Sequence, residues 1–241
     1  MTQSTHGPRL REIEFGACRE ALGIPNNFAD DNRLLTDGTL EELPKLTFVR
    51  HILDGKPISG CRFEIPSTTK GAIRIAVSDS NSVVKIGAHT RLILDLRLWR
   101  SPYVEIGDYT TINSARFVAD KSDIIVGSDC MFSDEILIQS SDQHGIWDLA
   151  TGTLVNGGRR RIEIQDHVWV GRKVTVMPDV TVGAGSLLGT GATVTKSIEM
   201  CSVAVGVPAK TVRSGISWTR HPSQKNVREE SFFSKVSGQS S

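Results

Sequence analysis

Ile164, Val170, Val176, Val182, Leu188 and Val194 recur at a strict interval of six. No α-helix keeps such a series on one face, because six residues turn it through about 600°. Short strands joined by tight corners do. Each hexapeptide then forms one flat side of a prism and stacks its aliphatic residue on the coil below. Gly171, Gly183 and Gly189 follow three members of the series directly. Four positions after each member come Val168, Val174, Val180, Ser186, Ala192 and Ile198, all small or aliphatic. Earlier traces are Ile86-Gly87, Ile106-Gly107, Ile112, Val118, Val126-Gly127, Phe132 and Ile138. The phase slips by two between Val118 and Val126, and again after Ile138. The pattern predicts an all-β solenoid of hexapeptide repeats over residues 71–218, with glycines and small residues at its corners. Spacing does not set the hand of the coil, and the crossover rule for parallel strands favours a right-handed one.

The flanks read differently. Leu10, Ile13, Ala17, Cys18, Ala21 and Leu22 share one helical face, ended by Gly23 and Pro25. A short second helical candidate is Thr39–Leu43, before Pro44. Residues 1–70 are therefore expected to be an N-terminal flank or cap. Ile216 and Trp218 are the last core candidates, and residues 219–241 form a polar, Ser-rich tail, mobile or an accessory helix. Glycine at 22 of 241 residues and aromatics at only 6% suit many turns around a thin aliphatic core. A net charge of +1 argues against nucleic-acid binding driven by bulk charge. No apolar run approaches the roughly 20 residues of a membrane helix, and MTQSTHGPRLREIE lacks a leader's apolar stretch. Four cysteines without a CxxC pair make neither a disulfide framework nor a zinc ribbon. A cytoplasmic protein without membrane insertion is expected.

IEIQDHVWVGRKVTVMPDVTVGAGSLLGTGATVTKSIEMCSVAVGVPAKTVR, residues 162–213, resembles the hexapeptide-repeat acyltransferases, specifically the O-acetyltransferases of bacterial capsular and surface polysaccharides. SSDQHGIWDLATGTLVNG before it looks like the excursion loop those enzymes insert between coils, here about residues 139–161. Departures are modest: Val207 stands before Pro208 where Asn is also frequent, and Gln165 where Gly is usual. The resemblance implies a left-handed parallel β-helix, a homotrimer and acyl-CoA sites between adjacent subunits.

Acetyl transfer to a hydroxyl requires a base for a poor nucleophile, and imidazole suits neutral pH. His144, in a polar loop beside Gly145, is the candidate general base, with Asp142 or Asp148 to orient it. Trp169 stands where the resembled enzymes place an aromatic near the thioester. Gly189, Thr190, Gly191 and Ala192 offer a narrow groove for the pantetheine arm of acetyl-CoA, with Thr195 beside them. Lys196, Lys210 and Arg213 offer cations for its phosphates. Trp147, Asp148 and Asn156 are candidates for the carbohydrate acceptor. Cys130 sits at a small-residue repeat position and reads as a buried thiol rather than a nucleophile. His89, His144 and His167 lack metal-ligand spacing, so no metal is expected. The expected protein is an acetyl-CoA-dependent O-acetyltransferase acting on a carbohydrate hydroxyl by direct transfer. N-acetylation of an amino sugar or sugar nucleotide, and a non-catalytic scaffold, are the alternatives.

Overall fold

The computed structural model describes residues 10–50 and 56–238. The chain winds through successive coils whose strands pair in parallel with the coils before and after. One wall runs through Arg33–Thr36, Arg62–Glu64, Val83–Ile86, Tyr103–Ile106, Ser122–Val126, Arg160–Ile164 and Thr181–Val182. Register gives the coil length. Glu163 lies beside Thr181 and Trp169 beside Leu187, steps of eighteen residues, or three sides of six. Tyr103 lies beside Asp123 and Thr111 beside Met131, steps of twenty. The phase slip is therefore two extra residues per early coil. Two is the net figure: the corner at Arg100-Ser101 and Asp120-Lys121, where Arg100, Ser101 and Lys121 have positive φ, is longer by three or four residues, and the second wall beside it is shorter by one or two.

The second wall consists of Lys45–Arg50, Lys70–Val77, Arg91–Trp99 and Thr111–Asp120. Below these it divides into two short strands per coil: Met131–Phe132 with Ile136–Gln139, Trp169–Val170 with Thr175–Val176, then Leu187–Leu188 with Thr193–Val194. Glu135, Lys173 and Gly191, all at positive φ, make the dividing corner. Coiling begins well before residue 71, since Phe28 bridges Ile58 in parallel and Arg33–Thr36 pairs with Arg62–Glu64. Arg33 lies 29 residues before its neighbour Arg62, so the turns inserted in the first coil erase the six-residue period there. The expected first helix is also shorter. Arg11–Glu14 is a strand antiparallel to Arg33–Thr36, covering the open edge of the sheet, and α1 is only Phe15–Leu22. Ile13 thus belongs to a strand, and Thr39–Leu43 is a turn rather than a helix. At the other end Lys210–Ser214 folds back antiparallel on Ser202–Val205.

Inward aliphatic residues form one continuous core from Ile24 to Ala204. Phe15, Phe28, Phe48 and Phe63 plug its upper end, with ring centroids 5.0–6.0 Å apart. The glycines of the repeats serve contact rather than conformation. Gly87, Gly107 and Gly127 have ordinary φ, but a Cβ on Gly107 would lie 2.6 Å from the Gly127 carbonyl carbon of the next coil. Positive φ falls instead two residues further along the same corner, mostly on non-glycine residues: His89, Tyr109, Asp129, His167 and Cys201, joined there by Gly185. Each of these backbone N–H groups from Tyr109 on donates to the coil above, as Asp129 does to the Asp108 carbonyl at 2.8 Å, which offsets the strain.

The tail straps this corner. Trp218 is buried and stacks on His167 at 4.4 Å, and its indole N–H donates to the His167 carbonyl at 2.8 Å. His167 is itself buried, with Nδ1 3.0 Å from Asp129 Oδ2 and Nε2 3.0 Å from the Trp218 carbonyl. The Arg220 guanidinium donates to the Cys130 carbonyl and Thr111 hydroxyl, both at 2.9 Å, and to Asp129. A helix α2, Val227–Ser237, follows, capped by Asn226 and a buried Glu229 whose carboxylate also accepts from the Arg220 N–H. Phe232 of α2 reaches the His167 ring at 4.6 Å. Burial pushes the Asp129 carboxyl up, but the His167 hydrogen bond and the Arg220 and Arg228 charges outweigh it and hold it below its ordinary value.

Two predictions follow from this stacking. Gly107→Ala should cost about 1–3 kcal/mol, because the coil spacing leaves no room for a methyl group, and should lower the melting temperature by several degrees. A carboxyl depressed in the folded state contributes stability above its unfolded pKa of about 3.9 and loses it as pH falls further. The strap should therefore loosen below about pH 4, seen as a change in Trp218 fluorescence that Asp129→Asn brings to neutral pH.

Candidate functional site

The loop bearing His144 leaves the corner that holds the extra residues of the earlier coils. Ser122 lies beside Arg160, a step of 38 residues where the adjoining coils step by 20 and 18. Its base is tied to the coil above. Lys121 Nζ donates to the Gly157 carbonyl at 2.8 Å, and Arg159 donates to Asp123 and to the Ser101 carbonyl. Beneath the loop lies Asp120, 4% exposed and bound by both nitrogens of a bidentate Arg100. Asp120 Oδ2 also accepts from Ser141 Oγ at 3.3 Å, and Ser141 Oγ accepts from the Gln143 N–H at 3.0 Å.

His144 stands above this half-buried ion pair. The ring is exposed and makes no hydrogen bond among the described residues, so both nitrogens remain available. Its backbone is held firmly. Asn156 donates to the His144 carbonyl at 2.8 Å and to Asp142 Oδ2 at 3.0 Å, and its Oδ1 accepts the Ile146 N–H at 2.9 Å. Asp142 is thus engaged with Asn156 rather than with the imidazole. Arg100, Asp120, Lys121, His144 and Asn156 line a small cavity of about 60 Å³.

Farther out the loop becomes a hairpin, Trp147–Asp148 paired with Thr153–Leu154. Asp148 accepts the Ala150 and Thr151 N–H groups at 2.8 and 2.9 Å, and these bonds, Thr151's foremost, lower its carboxyl below the ordinary value. Its carboxylate serves the turn. Trp147, Leu149, Leu154 and Val155 project outward, Leu149 being 97% exposed.

The remaining candidates lie elsewhere on the coil, and none lines the cavity at His144. Trp169 is half-buried on the divided wall, tilted against Trp218 at 6.0 Å, with its indole N–H 3.5 Å from Ser133 Oγ. Gly189 to Ala192 form the next coil's dividing corner, where the Gly191 N–H donates to the Arg172 carbonyl and Ala192 is buried. Thr195 and Lys196 are exposed one side further on, and Lys210 and Arg213 are exposed on the last strand. Arg159, Arg160, Arg161 and Arg172 each pair with a carboxylate. Among the described residues Lys196, Lys210 and Arg213 have no acidic partner. Cys130 is fully buried, and burial pushes its thiol up to about 12. The Cys61 thiol is raised to about 11 in the same way. Arg100, Asp120 and Lys121 were not legible as site residues, and the two-residue slip at that corner is the one signal that marked their place.

The sequence profile "Bacterial transferase hexapeptide (six repeats)" matches residues 161–196. The chain is 36% identical over 138 residues to a polysialic acid O-acetyltransferase of Escherichia coli O1:K1 / APEC, covering 57% of this chain and 45% of that protein. It is 33% identical over 108 residues to a galactoside O-acetyltransferase of Lactococcus lactis, covering 44% and 50%. The match spans half or less of these relatives. Among solved structures it resembles the polySia-specific acetyltransferase NeuO, with a TM-score of 0.71 and 27% identity over 86% of this chain and all of the other. The chain is thus similar to hexapeptide-repeat acetyltransferases over its repeat region, a polysialic acid O-acetyltransferase among them, and has the fold of NeuO.

Proposed function

We propose that the protein transfers an acetyl group from acetyl-CoA to a carbohydrate hydroxyl, on a surface polysaccharide or its precursor, with His144 as general base. One observation carries this reading: the His144 backbone is fixed from both sides while its ring has no partner among the described residues, as a base awaiting substrate requires. The imidazole takes the hydroxyl proton as the oxygen attacks the thioester carbon. Loop backbone N–H groups stabilise the oxyanion, and collapse of the tetrahedral intermediate expels the CoA thiolate, which regains the proton. Asp142, held by Asn156, places negative charge two residues from the imidazolium. Trp147 offers an aromatic face to the sugar.

Gly189 to Ala192, with Thr195 beside them, would take the pantetheine arm, and the exposed Lys196, Lys210 and Arg213 the phosphates. Trp169 would lie near the thioester. Trp169, Gly189 to Ala192, Lys210 and Arg213 sit on other sides of the coil from His144, and Thr195 and Lys196 lie at its corner two coils further on. A complete site therefore requires a second copy, in keeping with a homotrimer, and the exposed Trp147, Leu149, Leu154 and Val155 suit burial against a neighbour. The stacked coils are read as a left-handed β-helix, working in the cytoplasm where acetyl-CoA is available. The acetyltransferase relatives make polysialic acid the first acceptor to test, beside neutral oligosaccharides and an amino sugar.

His144→Ala should lower kcat for CoA release by roughly 10²–10⁴-fold at an unchanged melting temperature, and Lys196→Ala/Lys210→Ala should raise KM for acetyl-CoA about tenfold, some 1.4 kcal/mol of lost binding. Full turnover by the His144 variant would end the proposal. Direct transfer needs no thiol, so Cys130 should resist alkylation in the native protein at pH 8 and react only on unfolding, with half-exposed Cys201 labelled first, as mass mapping would read.

A further inference from the structure

We infer that Asn156 is the positioning residue of His144, an inference that rests on the proposed base role. The ring of His144 has no hydrogen-bond partner among the described residues, so its direction depends on where the backbone carries it. That backbone is exposed and borders Gln143, whose φ is 62°, and Gly145. Without restraint such a segment samples many conformations. One carboxamide supplies the restraint. Its Nδ2 gives one N–H to Asp142 Oδ2 and one to the His144 carbonyl, and its Oδ1 takes the Ile146 N–H. Three alternate residues centred on His144 are thereby fixed.

Asn156 is itself anchored, because Lys121 of the coil holds the adjoining Gly157 carbonyl. The chain of contacts runs from a rigid corner, through Gly157 and Asn156, to the residue that needs placing. The position requires two donors and an acceptor on a short stem. Aspartate lacks both donors and would set a second carboxylate against Asp142. Both amide protons being engaged within the loop, Asn156 has none to offer a sugar.

The test uses the full-length protein, acetyl-CoA and polysialic acid, with the fastest acceptor of the oligosaccharide panel as a second substrate, and a parallel measurement free of turnover. In ¹³C-histidine spectra, where the His144 resonance is identified by its loss in His144→Ala, Asn156→Ala should shift or broaden that signal and leave the other histidines in place. Its kcat should fall about 10–100-fold, the scale of an ångström-sized misplacement, with both KM values within twofold and the melting temperature within about 2 °C. Asn156→Asp should lose as much. Adding Asp142→Asn to it recreates the side-chain pair in reverse and should recover part of the loss. An unchanged His144 resonance with wild-type kcat in Asn156→Ala overturns the inference while the base role stands. A tenfold rise in acceptor KM at unchanged kcat overturns it in favour of an acceptor contact. Should His144→Ala keep full turnover, the base reading fails by itself, and the resonance still reports whether Asn156 places the ring.

Discussion

Everything in this molecule is built on the closeness of one coil to the next. Parallel strands stack at about 4.8 Å, and at the corners the backbones come nearer still. At Gly107 the neighbouring coil leaves no room for even a methyl carbon. The spacing imposes two demands on the sequence. Inward positions must hold one aliphatic side chain on another along the axis, as Ile164 and Val182 do in adjacent coils. Each corner must also turn sharply without spreading the coils. The chain meets the second demand with two kinds of residue: glycine where contact is closest, and positive-φ residues with paired N–H groups where the turn is tightest.

The same constraint explains where variety is tolerated. A residue added within a wall would turn every following side chain to the wrong face. Residues added at a corner leave the walls in register. One corner takes extra residues in the early coils and the whole His144 loop later, while the core beneath it keeps its aliphatic stack. The loop is therefore not an arbitrary decoration. It enlarges a bend that already projected Arg100, Asp120 and Lys121, and these residues became its floor and its tether.

The legible part of the fold was the part with the simplest geometry. Between Ile164 and Val194 the coils step by eighteen residues, so the spacing of six passes unchanged from sequence to structure. In the coils near Tyr103 the extra corner residues displaced the phase without hiding it. Before residue 71 the long first coil removed the period altogether, although Leu34 and Phe63 stack there as Val84 and Val104 do below. His144 was legible from its loop and its chemistry. The capture of Asp142 by Asn156, and the hold of Asp148 on its own turn, depend on hairpin geometry that spacing does not encode. Nor could sequence show that Trp218 and Arg220 reach back 51 and 91 residues to His167 and Asp129.

Loop and tail solve opposite problems with similar means. The tail buries its anchors: Trp218 on His167, Glu229 beneath the cap of α2, and Asp129 amid two arginines. Those groups are consumed by structure, and the buried His167, with both nitrogens bonded, has none left for chemistry. The loop also spends polar groups on its own backbone, through Ser141, Asn156 and Lys121, but leaves the His144 ring outside the network. A base must be free of partners and yet fixed in space, so the restraint has to come through the main chain. A rigid coil with a tethered excursion meets both conditions, because its walls carry the load of folding and its corner carries the reactive group.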